Sequence, residues 1–444
     1  MAFEKWENKH YWALILLISI IFFFSRIYEP SLSGDAAKYA LIAKTMLKTG
    51  NFLIPQLGDE FYFKKPPFFF WLIALCFKIF GISEFSARLP SALFATIDAI
   101  LIYIIGRNFS GSKTAGFLAA IVFIVNFEII RISTIVRFES YILLINLLSL
   151  LLLTNPTVKK SLLAGTLIGT GLLTKGPLAL FGVISTMLQA ITEKNSSKIK
   201  LQFLTLLIAL SIFGPYLAYM YKYHPAFFKE FFKNQIIGRL EGSLKEGTPR
   251  SFFFYERIIL KHFWIWNFFL LVFIFQSIKT KGQFIKETLI IKDKPLWTSF
   301  LFMFLLIFIP LHFVSLKFTR YSYYFYPFLA VIVSFTILKL KWERNILYFA
   351  AFTTITYAIV ALVCPCKFHK DKLKTIKPLI EVGINNFHHL KIDKTIDKYT
   401  AYALMFYYDN LSRSKNYEYS LMHKNCRKSV IKYGNYCIVR NKGK

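Results

Sequence analysis

Ser33-Gly34-Asp35-Ala36-Ala37-Lys38-Tyr39 opens a stretch that runs through Phe61-Tyr62-Phe63-Lys64-Lys65-Pro66-Pro67-Phe68 and closes on Ser83-Glu84-Phe85-Ser86-Ala87-Arg88-Leu89-Pro90. It is the longest polar interruption in the apolar N-terminal part of the chain. It follows directly on the apolar run Tyr11 to Ile27, which reads as a first membrane span. Within it, A-A-K-Y-A-L-I-A-K-T-M-L carries apolar residues at helical spacing with lysines on the other face, the pattern of an amphipathic helix lying on a membrane. Phe68 to Phe80 is apolar but short and contains Lys78, so an interfacial helix is expected rather than a span. An acid, Asp35, heads the stretch, and Lys38, Lys64, Lys65 and Arg88 sit among aromatics. A carboxylate held near the bilayer surface beside several cations suits chemistry on a phosphorylated lipid.

Outward from this stretch the chain is apolar. Of its 444 residues 55% are hydrophobic and 18% aromatic, with mean hydropathy +0.47, which excludes an ordinary soluble domain and predicts a polytopic membrane protein. The net charge of +31 fits positive loops on anionic lipid and sites for lipid phosphates, since no basic soluble module for nucleic acid is visible; a lysine-rich composition also accounts for much of it. The N-terminal segment lacks a small-residue cleavage site, so the first span is expected to be retained. Further spans are predicted at about 87–106, 114–130, 138–154, 161–174, 177–192, 201–220, 262–278, 296–314, 322–338 and 345–363, about eleven in all.

Links 107–113, 155–160, 193–200, 279–294 and 339–344 hold 15 Lys or Arg in 43 residues, against 13 in 62 for links 128–137, 174–177, 221–261 and 315–321. The denser set is expected in the cytoplasm. The N-terminus is then inside, and the first polar stretch, the 221–261 loop and the tail are outside. Residues 1–363 read as the transmembrane domain and 364–444 as a small soluble α/β domain. Cys426 and Cys437 could pair in an oxidising compartment or remain free thiols. The tail's cysteines and histidines lack zinc-finger spacing, and no G-x-x-x-x-G-K-[ST] or G-x-G-x-x-G loop is present. No internal repeat is visible, which weakens a transporter reading.

Polar groups at the expected outer ends of spans gather in five places: Gly34-Asp35; Arg131 with Arg137-Phe138-Glu139; Thr174-Lys175-Gly176-Pro177; Asn234, Gln235 and Arg239; and Lys317, Arg320 and Tyr321. Any one of them also reads as a snorkelling or helix-end group, but ionisable residues at such depth are costly and tend to be functional. Together they fit sugar transfer from a polyprenyl phosphate. Phosphate leaves readily, so the reaction needs a carboxylate to take the acceptor's proton and cations to hold the charge that develops on the phosphate. Asp35 and Glu139 are the candidate catalytic acids. Tyr62, Lys65, Arg137, Lys175, Arg239 and Lys317 are the candidate substrate-binding residues.

The segments G-D-A-A-K-Y-A, Y-F-K-K-P-P-F-F-F-W and F-G-I-S-E-F-S-A-R-L-P-S-A-L resemble the N-terminal signature of the bacterial GT-C glycosyltransferases, most closely the aminoarabinose (lipid A) transferase and protein mannosyltransferase-like group. L-L-T-K-G-P and Y-Y-F-Y-P-F-L-A resemble later segments of the same family in order. The resemblance implies many transmembrane helices with juxtamembrane helices in the first outer loop. It implies a polyprenyl-phosphate sugar donor, a lipid A, lipopolysaccharide or protein acceptor, and inverting transfer at the periplasmic face of the bacterial inner membrane. It matches Asp35 to the family's essential acid and Lys65 to the lysine before the double proline. No cofactor is required, and a divalent metal is left open. The chain departs from the family at Ala36, where a Glu is common, at Lys64, where the aminoarabinose enzymes have Glu, and at Gln235-Ile236-Ile237-Gly238-Arg239, which keeps only the Arg of an E-H-x-x-R pattern. These departures bear on the donor sugar, the acceptor and the metal. The competing readings are a transporter or flippase of a lipid-linked sugar, which needs the basic groove but not the acid, and an oligosaccharide ligase or polymerase, which would want larger outer loops to hold long glycans.

Overall fold

The computed structural model describes residues 7–25, 27, 32, 34–241, 250–280, 295–363 and 389–409, with the strand segments 411–412, 419–423, 429–433 and 436–440. The chain divides into two compact units. One holds Met1–Arg26, Lys64–Phe68 and Ser91–Val360; the other holds Ile27–Phe63, Phe69–Pro90 and Ala361–Lys444.

The first unit is helical. Among the described residues four stretches are long and apolar enough to cross a membrane: Glu84–Ser110, which begins in the second unit, Val158–Thr192, Ser196–Tyr223 and Pro295–Phe313. The number rises to six if each of two bent pairs, Lys113–Ile124 with Phe127–Ser133 and Phe254–His262 with Ile265–Lys279, is one span. Elsewhere the expected spans at the N-terminus, 138–154 and 322–338 appear as shorter apolar helices, Asn8–Phe24, Glu139–Leu153 and Tyr326–Lys339. At 1.5 Å per residue such a helix reaches about 20–25 Å, short of a bilayer core of about 30 Å. The breaks have local causes. Asn126 interrupts one expected span and caps the helix that follows, its Oδ1 accepting from the N–H groups of Glu128 and Ile129. Gly176, at φ +68°, ends the helix Val158–Lys175 and turns the chain so that Ala179 comes back against Gly171. The buried Asn146 fastens this turn, donating to Leu178 O and accepting from Gly182 N.

Helix Val158–Lys175 packs along Ser196–Tyr223 at two glycines four residues apart. A Cβ on Gly165 would lie 2.7 Å from Thr205 O, and one on Gly169 would lie 2.8 Å from Ile212 Cβ. This close approach of backbones is how apolar helices bind one another where lipid removes the hydrophobic drive.

The second unit joins the first polar stretch to the C-terminal segment. It contains the amphipathic helix Gly34–Thr49, a two-stranded hairpin of Gln56–Leu57 and Glu60–Phe61, and most of the helix Phe68–Phe80, whose bounds are those the sequence predicts. The tail contributes a helix, Lys398–Tyr407, and a five-stranded mixed sheet in the order Leu411–Ser412, Leu390–Ile392, Tyr419–His423, Tyr436–Arg440, Ser429–Tyr433. Leu390–Ile392 runs parallel to both of its neighbours, and the remaining pairings are antiparallel. Cys437 is disulfide-bonded; Cys426, its expected partner, lies outside the described residues.

Candidate active site

Asp35 lies in the first turn of Gly34–Thr49. The preceding Gly34 has φ +59°, a conformation that leads into the helix without strain only for glycine. Lys38, one turn on, donates to Asp35 Oδ1. The two side chains are 17% and 12% exposed, so the pair is largely but not fully shielded. Three tyrosine rings surround the Lys38 ammonium, with centroids 5.1 Å (Tyr39), 5.7 Å (Tyr62) and 5.7 Å (Tyr399) away. Tyr62 is buried, its N–H bonded to Pro55 O and its ring set edge-on to Phe70. This unit therefore offers a carboxylate at a helix N-terminus, where the dipole favours negative charge, next to an ammonium held by aromatic faces.

The first unit holds a second carboxylate–lysine pair. Glu139, at the start of Glu139–Leu153, and Lys175, at the end of Val158–Lys175, meet with Nζ 2.9 Å from Oε1. Their side chains are 0% and 3% exposed. Lys175 also donates to Tyr324 Oη at 2.9 Å, and its ammonium sits over the rings of Phe138, Tyr321 and Tyr324 at 5.1–5.3 Å. Arg320 Nε lies 3.8 Å from the same Glu139 oxygen, and its guanidinium covers Phe318 at 4.2 Å. Arg137 adds a third cation acting on this carboxylate. Glu139 Oε2 has no hydrogen-bond partner among the described residues. Three cations thus surround one buried carboxylate, and the excess positive charge favours a further anion there.

Other expected residues lie elsewhere in this unit. Lys65 is buried. Its neighbour Lys64 pairs with Glu230 at 3.8 Å, and Glu230 also accepts from Asn234 Nδ2, which brings the K-K-P-P segment to the expected Asn234 cluster. Arg239 lies in the short helix Gly238–Glu241; its side chain, like that of Gln235, lies outside the described residues. The Lys317 ammonium faces the carbonyls of Val314 (2.7 Å) and Arg250 (3.5 Å), the place of a cation beyond a helix C-terminus. Among the described residues no group of three or more His, Cys, Asp or Glu side chains could hold a metal. Sequence reasoning missed Tyr324 and Tyr399. The tyrosine-rich run Tyr321-Ser322-Tyr323-Tyr324-Phe325-Tyr326 before an apolar segment was a usable signal for the first; the tail gave none for the second.

Residues 64–219 match the family model described as dolichyl-phosphate-mannose-protein mannosyltransferase. An uncharacterized protein of Aquifex aeolicus is 28% identical over 305 residues, covering 66% of this chain and 58% of that protein. The undecaprenyl phosphate-alpha-4-amino-4-deoxy-L-arabinose arabinosyl transferase 2 of Proteus mirabilis is 27% identical over 237 residues, covering 51% of this chain and 42% of that one. The chain thus spans about half the length of the relatives it matches. Among solved structures, ArnT from Cupriavidus metallidurans bound to undecaprenyl phosphate superposes with a TM-score of 0.72 at 13% identity, covering 96% of this chain and 97% of that one, a likeness of fold.

Proposed function

We propose that this chain is a GT-C glycosyltransferase, an integral-membrane enzyme that moves a sugar from a polyprenyl-phosphate donor to a cell-envelope acceptor. The observation that carries the reading is the presence of two built carboxylate–lysine centres, one in each unit, in a chain whose relatives include arabinosyl transferases named for undecaprenyl phosphate. Asp35 takes the proton of the acceptor hydroxyl as the C–O bond to the sugar forms and the phosphate leaves with inversion. Lys175, Arg137 and Arg320, with Lys65, Arg239 and Lys317 as further candidate cations, are the groups proposed to offset the phosphate charge, and Glu139 fixes Lys175. Tyr62 supplies an aromatic wall on the Asp35 side. The acceptor is lipid A, another envelope glycolipid or a protein.

The proposed setting is the bacterial inner membrane, with about eleven spans, a transmembrane domain over 1–363, a tail from 364 and the reaction at the periplasmic face. The density of basic residues in alternate links supports this, as does the disulfide at Cys437, a bond that persists in oxidising compartments. Cysteine labelling checks the topology: Lys159→Cys should react only from the cytoplasm and Lys245→Cys from outside. The function itself is tested with purified protein, a panel of polyprenyl-phosphate sugars, and mass spectrometry of lipid A and glycoprotein from a deletion strain. An unchanged envelope and no transfer from any donor would reject it, and movement of the donor lipid without transfer would favour the flippase.

A further inference from the structure

Within the second unit, the C-terminal helix Lys398–Tyr407 packs along Gly34–Thr49, and polar bonds fix its register. Lys44 Nζ donates to Phe406 O at 2.6 Å and pairs with Asp409 at 3.3 Å. Gly58, in the hairpin turn, lies so close that a Cβ there would meet Met405 Cε at 2.6 Å. At the end of the helix the Tyr407 hydroxyl accepts from Leu32 N at 2.9 Å and donates to Glu84 Oε1 at 2.8 Å. Because the backbone N–H can only donate, the hydroxyl proton must go to the carboxylate, so both bonds have a fixed direction. Burial, and then the bond to Glu84, push the Tyr407 hydroxyl well above the ordinary tyrosine range, so it keeps that proton.

Glu84 stands one turn before Arg88 on the same helix, and the buried Arg88 donates through Nη1 to Ile27 O at 3.1 Å. The chain leaving the first apolar helix is therefore tied at Ile27 by Arg88 and at Leu32 by Tyr407, and Asp35 follows three residues after the second tie. We propose that Tyr407 is a positioning residue for Asp35: the tail helix sets where the acid stands by holding the backbone that precedes it. The inference rests on the reading of Asp35 as the base. A base displaced by a fraction of an ångström loses rate without losing substrate affinity, because proximity acts on the transition state.

The test is Tyr407→Phe in the full-length protein, which keeps the ring and deletes the bridging hydroxyl. The expected result is a kcat lower by about tenfold at a donor KM within about twofold of wild type. An unchanged melting temperature and faster hydrogen exchange at the Leu32 amide should accompany it. Glu84→Leu, which deletes the acceptor that fixes the hydroxyl but leaves the Leu32 bond possible, should give the same split in smaller measure, and the double variant should be no worse than Tyr407→Phe alone. A wild-type kcat, or a loss of rate that merely tracks loss of folded protein, would overturn the assignment. Asp35→Asn, measured alongside, separates the two readings. If Asp35→Asn transfers normally, the base falls and the positioning role with it; if it is inactive while Tyr407→Phe is not, the positioning role alone falls.

Discussion

The two carboxylate–lysine pairs share chemistry and differ in depth. Glu139–Lys175 is sealed at 0% and 3% exposure inside helices, whereas Asp35–Lys38 lies at 17% and 12% at the start of the amphipathic helix Gly34–Thr49. A sealed pair cannot be broken without stranding a charge, so each partner is obligatory to the other. The shallower pair can exchange its partner for water or substrate at small cost. The proposed function accordingly uses the buried pair as a fixed electrostatic frame and the more exposed pair as the proton acceptor.

Lys175→Met would strain this comparison most. It leaves the buried Glu139 carboxylate with only the more distant Arg320 and Arg137 and should lower stability by up to about 3–5 kcal/mol, read as a fall in melting temperature in detergent. Adding Glu139→Leu should restore most of that stability without restoring transfer. A single Lys175→Met variant with wild-type melting would show that the pair is not sealed.

Asp35→Asn should do the opposite. Asn keeps a polar side chain of the same size in the first turn, so stability should move by about 1 kcal/mol or less, while transfer falls by roughly a hundredfold or more. Transfer near the wild-type rate in the purified variant would leave Asp35 as the first-turn partner of Lys38 only.

Single replacements of the surrounding cations rank next. Lys65→Ala, Arg320→Ala and Arg239→Ala should each reduce transfer or raise the donor requirement by about tenfold to a hundredfold, the size of one charge-assisted phosphate contact. Kinetics unchanged in all three would remove the phosphate role.

The smallest effect is expected at the rim of the shallow unit. Asp409 is partly buried, which raises its pKa, but Lys44 and Lys48 outweigh this and hold it below the ordinary carboxylate range. Its contribution is therefore present above that ordinary range and lost as pH falls through the lowered value. The side chain is 58% exposed, so screening keeps the contribution under about 1 kcal/mol. Asp409→Asn should melt slightly below wild type at neutral pH, and the gap should close on acidification and in high salt.

Much of the Asp35 site was legible in the sequence. Gly34-Asp35 before an amphipathic pattern predicted the helix and its acid, and the bounds of Phe68–Phe80 followed from an apolar run too short to span. The buried centre was legible only as scattered ends: Arg137 and Glu139, Lys175, Arg320. Which of these meet depends on the Gly176 turn and on the packing of three helices. Lys317 shows the limit, since a lysine before an apolar segment gives no sign in sequence that its ammonium meets the carbonyls of Val314 and Arg250.

The sequence alone determined that the chain is built for a membrane, where its polar stretches fall and which acid heads the first of them. Hydropathy and helical period are local properties, set by neighbours along the chain. The tertiary structure decided which cations share Glu139, and that tyrosines of the tail helix reach Lys38 and the backbone before Asp35. Those contacts join residues more than 30 and up to 375 positions apart. They are selected by the burial and hydrogen-bond satisfaction of the whole fold, which no local window of sequence contains.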